Sequence, residues 1–522
     1  MPAVMPHARQ VIAALAVAAA AASQARARAA APFAPGCARA AEGMSPEQIR
    51  ERARSAIRAA NGSARLPDAT RNVQRMLSGG IARIPAGVYR IDGTLTLKPR
   101  ARLFGAGPTK SILYRDAEAC RNRGGAMLQL QGARGEASAP GPAQVSGIAF
   151  VGVEDATCRG QDVGVRVSGC ADYRIDHCYF ERFGFAAVYV ADVSAGVVDH
   201  CSFLDIFKKP INNLGYGVVV YRGNLWEDEI KPGTIQANFV EDCVLVGCRH
   251  AIAANGGAQY VFRRNHVRGN VVGQAVDAHG LGYGSKRGTR WVEVYDNLIE
   301  EPASGAWAGV VIRGGDGVIF RNVIRGYRTN INLCLEMGAP AGERTAYPRK
   351  DQVREMYVWN NEPAGVSVSR GSEEHIKKGR DYFEHARPEY KPFVYPHPLA
   401  RGGPFDARPV AAEPKKDRKV PGPAVAARPD PPEELVSALR AGIIDGFEGR
   451  GAQTVYVDDA GGASTRARLV GADGDAIRVI IRGMEMRMAW DELSPRRLYG
   501  IAKKYVDDRQ TLEAFRRAAG LD

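Results

Sequence analysis

A short strand recurs seven times between residues 173 and 361, in the segments 173–180, 196–203, 238–245, 260–267, 292–299, 317–324 and 356–363. Its third position is always apolar: Ile175, Val198, Val240, Phe262, Val294, Ile319 and Val358. Its sixth is always Cys or Asn: Cys178, Cys201, Cys243, Asn265, Asn297, Asn322 and Asn361. The steps between sixth positions are 23, 42, 22, 32, 25 and 39 residues, a base period in the low twenties with some coils lengthened by loops or passed over. Such a period means stacked units, each burying its apolar side against the next. Strand-rich units with one fixed polar turn position predict a right-handed parallel β-helix, an all-β solenoid. In it like residues stack rung on rung, and an asparagine amide bridges neighbouring turns. A sandwich or barrel would leave the fixed position without a reason.

At 522 residues there is room for more than one domain. The 59 glycines and 30 prolines suit a turn-rich β protein. A formal charge of +14 favours anionic partners, acidic polysaccharide among them. No helix-turn-helix, zinc finger or basic helix is legible, which argues against nucleic acid. His7 and Arg9 precede an apolar run at 11–22, and small residues follow. This is the pattern of a secretory signal over 1–27, cleaved after Ala25 or Ala27, and it predicts a secreted, periplasmic or cell-surface protein. The run is too short for a membrane span, and no later stretch reaches that length. Nine cysteines do not make a disulfide framework in so long a chain. Cys178, Cys201 and Cys243 are expected as small buried residues. Cys120 and Cys158, in loop-like sequence, form the pair expected to bond in an oxidising compartment.

Residues 44–80 are expected to form a helical cap over the open end of the stack, with Ser45 as N-cap and Pro46 at the first helical position. Residues 81–115 read as strands and turns, with Gly87, Gly93, Gly105 and Gly107 at the turns. IPAGVYRIDGTLTL followed by LFGAGPTKSIL resembles the first coils of secreted β-helix proteins of the pectate-lyase superfamily. RHAIAANGGAQYVFRRNHV, QAVDAHG, RWVEVYDNLIE and YKPFVYPHPLA resemble a bacterial group of right-handed parallel β-helix repeat proteins. The resemblance implies the fold over 81–395. It does not select an activity, because the superfamily includes lyases, hydrolases, esterases, epimerases and non-enzymes. Residues 396–433, rich in Pro, Ala and charge, read as a linker. In 434–522 a short helix precedes alternating strands around a Gly-Ala-Asp-Gly turn and a closing helix. This part resembles the small β-barrel modules related to the yeast Sla1 homology domain, which implies attachment to an envelope protein partner or surface.

A β-helix has no inherent pocket, so chemistry must sit where outward side chains on successive rungs converge beside inserted loops. Aligning VVVYRG, AIAANG, AVDAHG and GVVIRG by their final Gly gives one column of Arg222, Asn255, His279 and Arg313 and another of Val220, Ala253, Asp277 and Val311. Asp277 and His279, two apart on a strand, share a face. The loop at 281–291 adds Tyr283, Lys286, Arg287 and Arg290, and an insertion at 208–235 adds Tyr216 and Trp226. The two loops are expected to wall a groove, with basic groups holding uronate carboxylates and aromatic rings meeting sugar faces.

For β-elimination on a uronate, a cation must neutralise the carboxylate, a base must remove the C5 proton, and the leaving oxygen must be protonated. His279 with Asp277 as orienting partner suits the base, and Arg313 or Arg222 suits the carboxylate. Ca²⁺ is the alternative counter-charge. The catalytic set is therefore His279, Asp277 and Arg313, with Arg222, Asn255, His250, Tyr283, Lys286 and Arg290 binding substrate. His250, two before Ile252, alternatively packs inward. Hydrolysis would need two facing carboxylates, for which Asp277 with Glu293 or Asp316 are candidates. The Asp-Asp and R-x-K pattern of β-helix polygalacturonases is missing, and VDAHG is not the Ca²⁺ cluster of pectate lyases. Asp176–His177 and Asp199–His200, 23 residues apart, form either a metal site between rungs or a solvated charge ladder. Two functions follow: a polysaccharide lyase or glycoside hydrolase acting on an acidic glycan, or a non-catalytic envelope protein that binds glycan or is structural.

Overall fold

In the computed structural model, residues 43–401 and 432–519 are described, apart from 63, 123–124, 133–142, 154–161, 207–213, 235, 270–272, 283–284, 302–305, 338–346, 459–463, 475, 482–483, 491–492 and 494. The expected signal at 1–27 and most of the expected linker lie outside the described residues. The chain divides into two units, one ending at Ala407 and one beginning at Arg408.

The first unit is a parallel β solenoid with three long sheets. The first sheet has eleven strands, from Ile81–Ile84 to Tyr382–Phe383. The second has nine, from Gly87–Arg90 to Val323–Arg325, and the third has ten, from Leu95–Leu97 to Ser367–Val368. Each strand pairs in parallel with its counterparts one coil below and one coil above. The third-position apolar residues lie in register across six successive pairings: Ile175, Val198, Val240, Phe262, Val294, Ile319 and Val358. All seven face the core.

The repeat bends the chain through its fifth position. His177, His200, Asp242, Arg264, Asp296, Arg321 and Asn360 all have φ between 51° and 58°. This single left-handed residue turns the chain from the first sheet to the second. The Cys or Asn that follows is buried and satisfies the turn backbone. Cys243 N donates to Asn265 Oδ1 (3.0 Å), Asn265 N to Asn297 Oδ1 (2.9 Å), Asn297 N to Asn322 Oδ1 (3.1 Å), and Asn322 N to Asn361 Oδ1 (3.0 Å). The thiols of Cys178, Cys201 and Cys243 meet backbone carbonyls at 3.2–3.3 Å and are unbridged. Cys120 is disulfide-bonded; its expected partner, Cys158, lies outside the described residues.

Helix Pro46–Asn61 starts as the sequence implies, with Ser45 Oγ and Gln48 Oε1 each accepting the other's backbone N–H. It does not close the end of the stack. Ile49 and Ala53 pack on the outer face of the second sheet against Ile112, Tyr114, Ala149, Val151, Tyr179 and Leu204. Arg50 and Arg54 meet Glu181, which is fully buried. The shorter helix Thr70–Met76 does the capping, placing Val73 and Leu77 in the central core beside Ile84 and Leu97. It has only seven residues and no side-chain cap bond, so its sequence carries little helical signal.

Residues 396–401, expected to be linker, belong to a packed tail. His397 is fully buried, and Tyr390, Phe393 and Leu399 cover Phe239, Tyr295 and Phe320 on the outer face of the first sheet. Arg263 anchors this tail by donating to the carbonyls of Phe393 (2.8 Å) and Val394 (3.0 Å). The linker composition masked the anchor because its apolar residues are spaced irregularly.

The second unit has helix Glu433–Arg450, an antiparallel sheet of four strands from Thr454–Asp458 to Met484–Ala489, and helices Pro495–Tyr505 and Arg509–Ala518. Its core joins Leu439 and Ile443 to Leu469, Ile477, Val479, Ile501, Tyr505 and Phe515. No helix among the described residues is long and apolar enough to cross a membrane.

Candidate active site

Strand Gln274–Ala278 of the third sheet lies between His250–Asn255 and Ala306–Ile312. Alternation turns Val276 and Ala278 into the core and Asp277 outward. His279 follows directly, its backbone N–H donating to Ala254 O (2.9 Å). Arg313 follows Ile312, the partner of Ala278, so it arrives one rung above His279. Glu336 comes from just beyond strand Tyr327–Leu333, the next rung again.

These four side chains form one ion network. Arg313 Nε donates to Asp277 Oδ1 (3.1 Å) and its Nη2 to Asp277 Oδ2. Arg313 Nη1 reaches Glu336 Oε1 (3.3 Å). His279 Nδ1 lies 2.8 Å from Glu336 Oε2 and its Nε2 3.2 Å from Asp277 Oδ2. Burial disfavours the Asp277 carboxylate, but Arg313 and His279 outweigh it and hold Asp277 well below the usual carboxylate range. Burial pushes His279 down, and Asp277 and Glu336 more than reverse this, so its pKa is raised. Arg313 is likewise raised, its burial outweighed by the same two carboxylates.

The exposure is graded. Asp277 is fully buried and Glu336 nearly so, whereas the side chains of His279 and Arg313 are 18% and 12% exposed. The carboxylates sit behind, and the cations face outward. His250 lies deeper, 0% exposed, with Nδ1 donating to Gln274 O and Nε2 3.7 Å from Asp277 Oδ2. Burial lowers its pKa to about 3, so it is neutral. It stacks on Tyr216, with ring centroids 5.6 Å apart. His250 Nε2 makes no hydrogen bond, so this expected binding residue is a buried ring packed behind Asp277.

The remaining expected residues are placed elsewhere. Arg222 pairs with Glu227, and the register puts Tyr221, not Arg222, beside Asn255. The same shift makes Val219, not Val220, the partner of Ala253. Arg222 stands as one extra residue between Tyr221 and Gly223, whereas Asn255 is followed directly by Gly256, so alignment on the Gly slips by one. Asn255 Oδ1 accepts from the N–H of Gly256 (2.8 Å) and closes its own turn. Lys286 is exposed, with its backbone N–H on Asn224 Oδ1 (2.8 Å). Arg290 is fixed by Asp316 (2.7 Å) and by the carbonyls of Glu227 and Asp228. Tyr283 lies outside the described residues. Arg287, stacked on Trp226 at 3.6 Å and bidentate to Asp351, locks the two inserted loops together.

Glu293 and Asp316 are on the first sheet, bound to Tyr390 and Arg290, and do not face Asp277. The Asp–His repeats form a ladder: His177 and His200 stack at 5.0 Å, each turned back on its own Asp, and Arg174 holds Asp199. No group of three or more metal-ligating side chains is placed to hold an ion among the described residues. Glu336 escaped the sequence reading because its strand is not followed by the Gly used for alignment; the 39-residue step from Asn322 to Asn361 was its trace.

No protein-family model matches the chain, and no curated protein matches it. Among solved structures, endo-xylogalacturonan hydrolase from Aspergillus tubingensis is 11% identical with a TM-score of 0.38, covering 58% of this chain and 82% of its own. The catalytic unit of an α-1,3-glucanase from Streptomyces thermodiastaticus is 15% identical with a TM-score of 0.31, covering 57% of this chain and 56% of its own. An alginate lyase from Paenibacillus is 10% identical with a TM-score of 0.32, covering 60% of this chain and 96% of its own. The chain thus spans about half the length of that glucanase unit.

Proposed function

We propose that the protein is an exported carbohydrate-active enzyme, a polysaccharide lyase in preference to a glycoside hydrolase, acting on a uronate-containing glycan. The observation that carries this reading is the order of charges in the network: Arg313 and His279 in front, Asp277 and Glu336 behind. A retaining or inverting hydrolase needs carboxyls that reach the sugar. Elimination needs a cation for the substrate carboxylate and a proton-transfer group beside it. The disulfide at Cys120 and the signal-like N-terminus support export.

In this reading a substrate carboxylate takes up the outer N–H groups of Arg313. That releases His279 Nε2, which Arg313 Nη2 approaches at 2.8 Å in the free protein. Neutral His279, oriented through Nδ1 by Glu336, removes the C5 proton. The electron pair forms the C4–C5 double bond, the C4–O bond breaks, and the proton returns from Nε2 to the leaving oxygen. Because the pKa of His279 is raised, the neutral form grows only as pH climbs through that value, and activity rises on the alkaline side of the ordinary histidine range.

The second reading, a non-catalytic glycan-binding or structural envelope protein, is favoured by the pairing of Arg313 and His279 with Asp277 and Glu336, which also suits a purely structural cluster. Incubating the full chain with uronate and neutral glycans, and following ultraviolet absorbance of unsaturated products together with reducing ends, separates the two. Unsaturated product that falls about 10²-fold or more in His279→Gln supports the lyase. Reducing ends without absorbance overturn the lyase in favour of a hydrolase, and no product on any glycan overturns the enzyme reading.

A further inference from the structure

The outer face of the first sheet carries a second organised feature. Tyr295, Phe320 and Trp359 stand in register on three successive coils. Their rings stack, with Tyr295–Phe320 centroids 4.7 Å apart at 14° and Phe320–Trp359 centroids 4.3 Å apart at 4°. Tyr390 meets both Phe320 and Trp359 edge-on, at 5.9 and 6.3 Å, and so flanks the ladder from the side. Phe320 covers one face of the Trp359 indole.

The rung above is unfilled. The next strand, Tyr382–Phe383, pairs only with Met356 and Tyr357 and then leaves the sheet. Continued in register, His385 would stand over Trp359. Its ring turns back instead onto Tyr357 and Phe383, both at 5.6 Å. What remains is a cleft of about 370 Å³ lined by Trp359, Asn360, Ala364, Val366, Glu384 and His385 among others. A Cβ built on Gly365 at its rim would meet nothing within 4 Å. This volume lies in the range of small-ligand sites.

We propose that this cleft is a sugar-binding site, with a pyranose ring taking the missing rung on the free face of Trp359. A pyranose presents a flat C–H face to an aromatic ring and hydroxyls at its rim, and the cleft offers both complements: the indole, and the polar side chains of Asn360, Glu384 and His385. The lining contains Glu384, paired with Lys378 at 2.6 Å, and no Lys or Arg that would hold a uronate carboxylate. The ligand class is therefore a neutral glycan. The site is on the first sheet, whereas the His279 network is on the third, so it is independent of the reaction proposed above.

The test is calorimetric titration of the full chain with neutral oligosaccharides of gluco, galacto and manno type and with oligogalacturonate. Saturable binding of a neutral oligosaccharide is expected, weakened about tenfold or more in Trp359→Ala. Ala364→Phe leaves the ladder intact and fills the cleft from an exposed position, so it should also abolish binding. His279→Gln should bind as wild type, which separates this site from the candidate active site. Absence of binding by any neutral oligosaccharide overturns the proposal, as does wild-type affinity in a folded Ala364→Phe protein.

Discussion

Asp277 is the residue on which the network depends. It is fully buried and held ionised by Arg313 and His279, so Asp277→Asn leaves two cations without their shared partner. Breaking a buried ion cluster from one side costs about 3–5 kcal/mol, and chemical denaturation of that variant should show a loss of this size. The histidines oppose each other as pH changes. His250 is lowered to about 3 and His397 to about 4, both by burial, so the unfolded chain takes up these protons first. Stability is full above the ordinary histidine value and falls as pH drops from about 6.5 toward 4. His279 is raised, so its contribution is present below the ordinary value and lost as pH rises through the folded one. Thermal unfolding across pH should therefore show an acid slope that flattens in His397→Gln, and an acid slope unchanged by that substitution would contradict the assignment. The sequence announced Asp277 and His279 through their i, i+2 spacing and Arg313 through its column. The burial of His250 was legible as one alternative from its place two before Ile252, whereas Glu336 depends on where the following coil passes, which no local pattern encodes.

The coil is the next scale. Asn297 Oδ1 accepts from Asn265 N (2.9 Å) and Nδ2 (3.1 Å), and its Nδ2 donates to Phe262 O (2.9 Å) and Tyr295 O (3.0 Å). Asn297→Ala strands several of these groups in the core, at about 1–3 kcal/mol for each one left unpaired, and a loss of about 2–4 kcal/mol is expected in denaturant titration. The fifth position makes a different demand. Asp296 has φ 58°, which glycine adopts freely and a β-branched residue strongly resists. Asp296→Val should therefore cost about 1–2 kcal/mol more than Asp296→Gly. A ranking in the opposite order would mean that the turn is not what constrains the site. The seven-fold pattern was legible because register and turn are fixed by the same residues in every coil. The capping was less legible: the well-signalled helix Pro46–Asn61 covers a sheet face, and the weak helix Thr70–Met76 closes the core.

At the scale of the whole molecule, the solenoid leaves its sheet faces to be covered by whatever the chain supplies. The N-terminal helix covers part of the second sheet, and the tail from Tyr390 to Leu399 covers part of the first. Tyr390→Ala removes a ring packed on Phe320 and Trp359 and the hydrogen bond to Glu293. It should loosen the tail and speed proteolysis near Tyr390 while the strands beneath keep their protection in hydrogen exchange. The third sheet carries the ion network, and the free end of the aromatic ladder on the first carries the cleft.

The Cys and Asn column also makes the solenoid editable by whole coils. Cys178 and Cys201 occupy equivalent points, and Tyr179–Glu181 stands in register with Ser202–Leu204. Excising residues 179–201 would join Cys178 to Ser202 and delete one complete repeat of 23 residues while preserving every later phase. The shortened chain would lose one rung of roughly 4.8 Å and keep the His279 network and the Trp359 cleft intact. Such a protein grows or shrinks in units, and its length is a property that duplication and deletion can change without redesigning the fold.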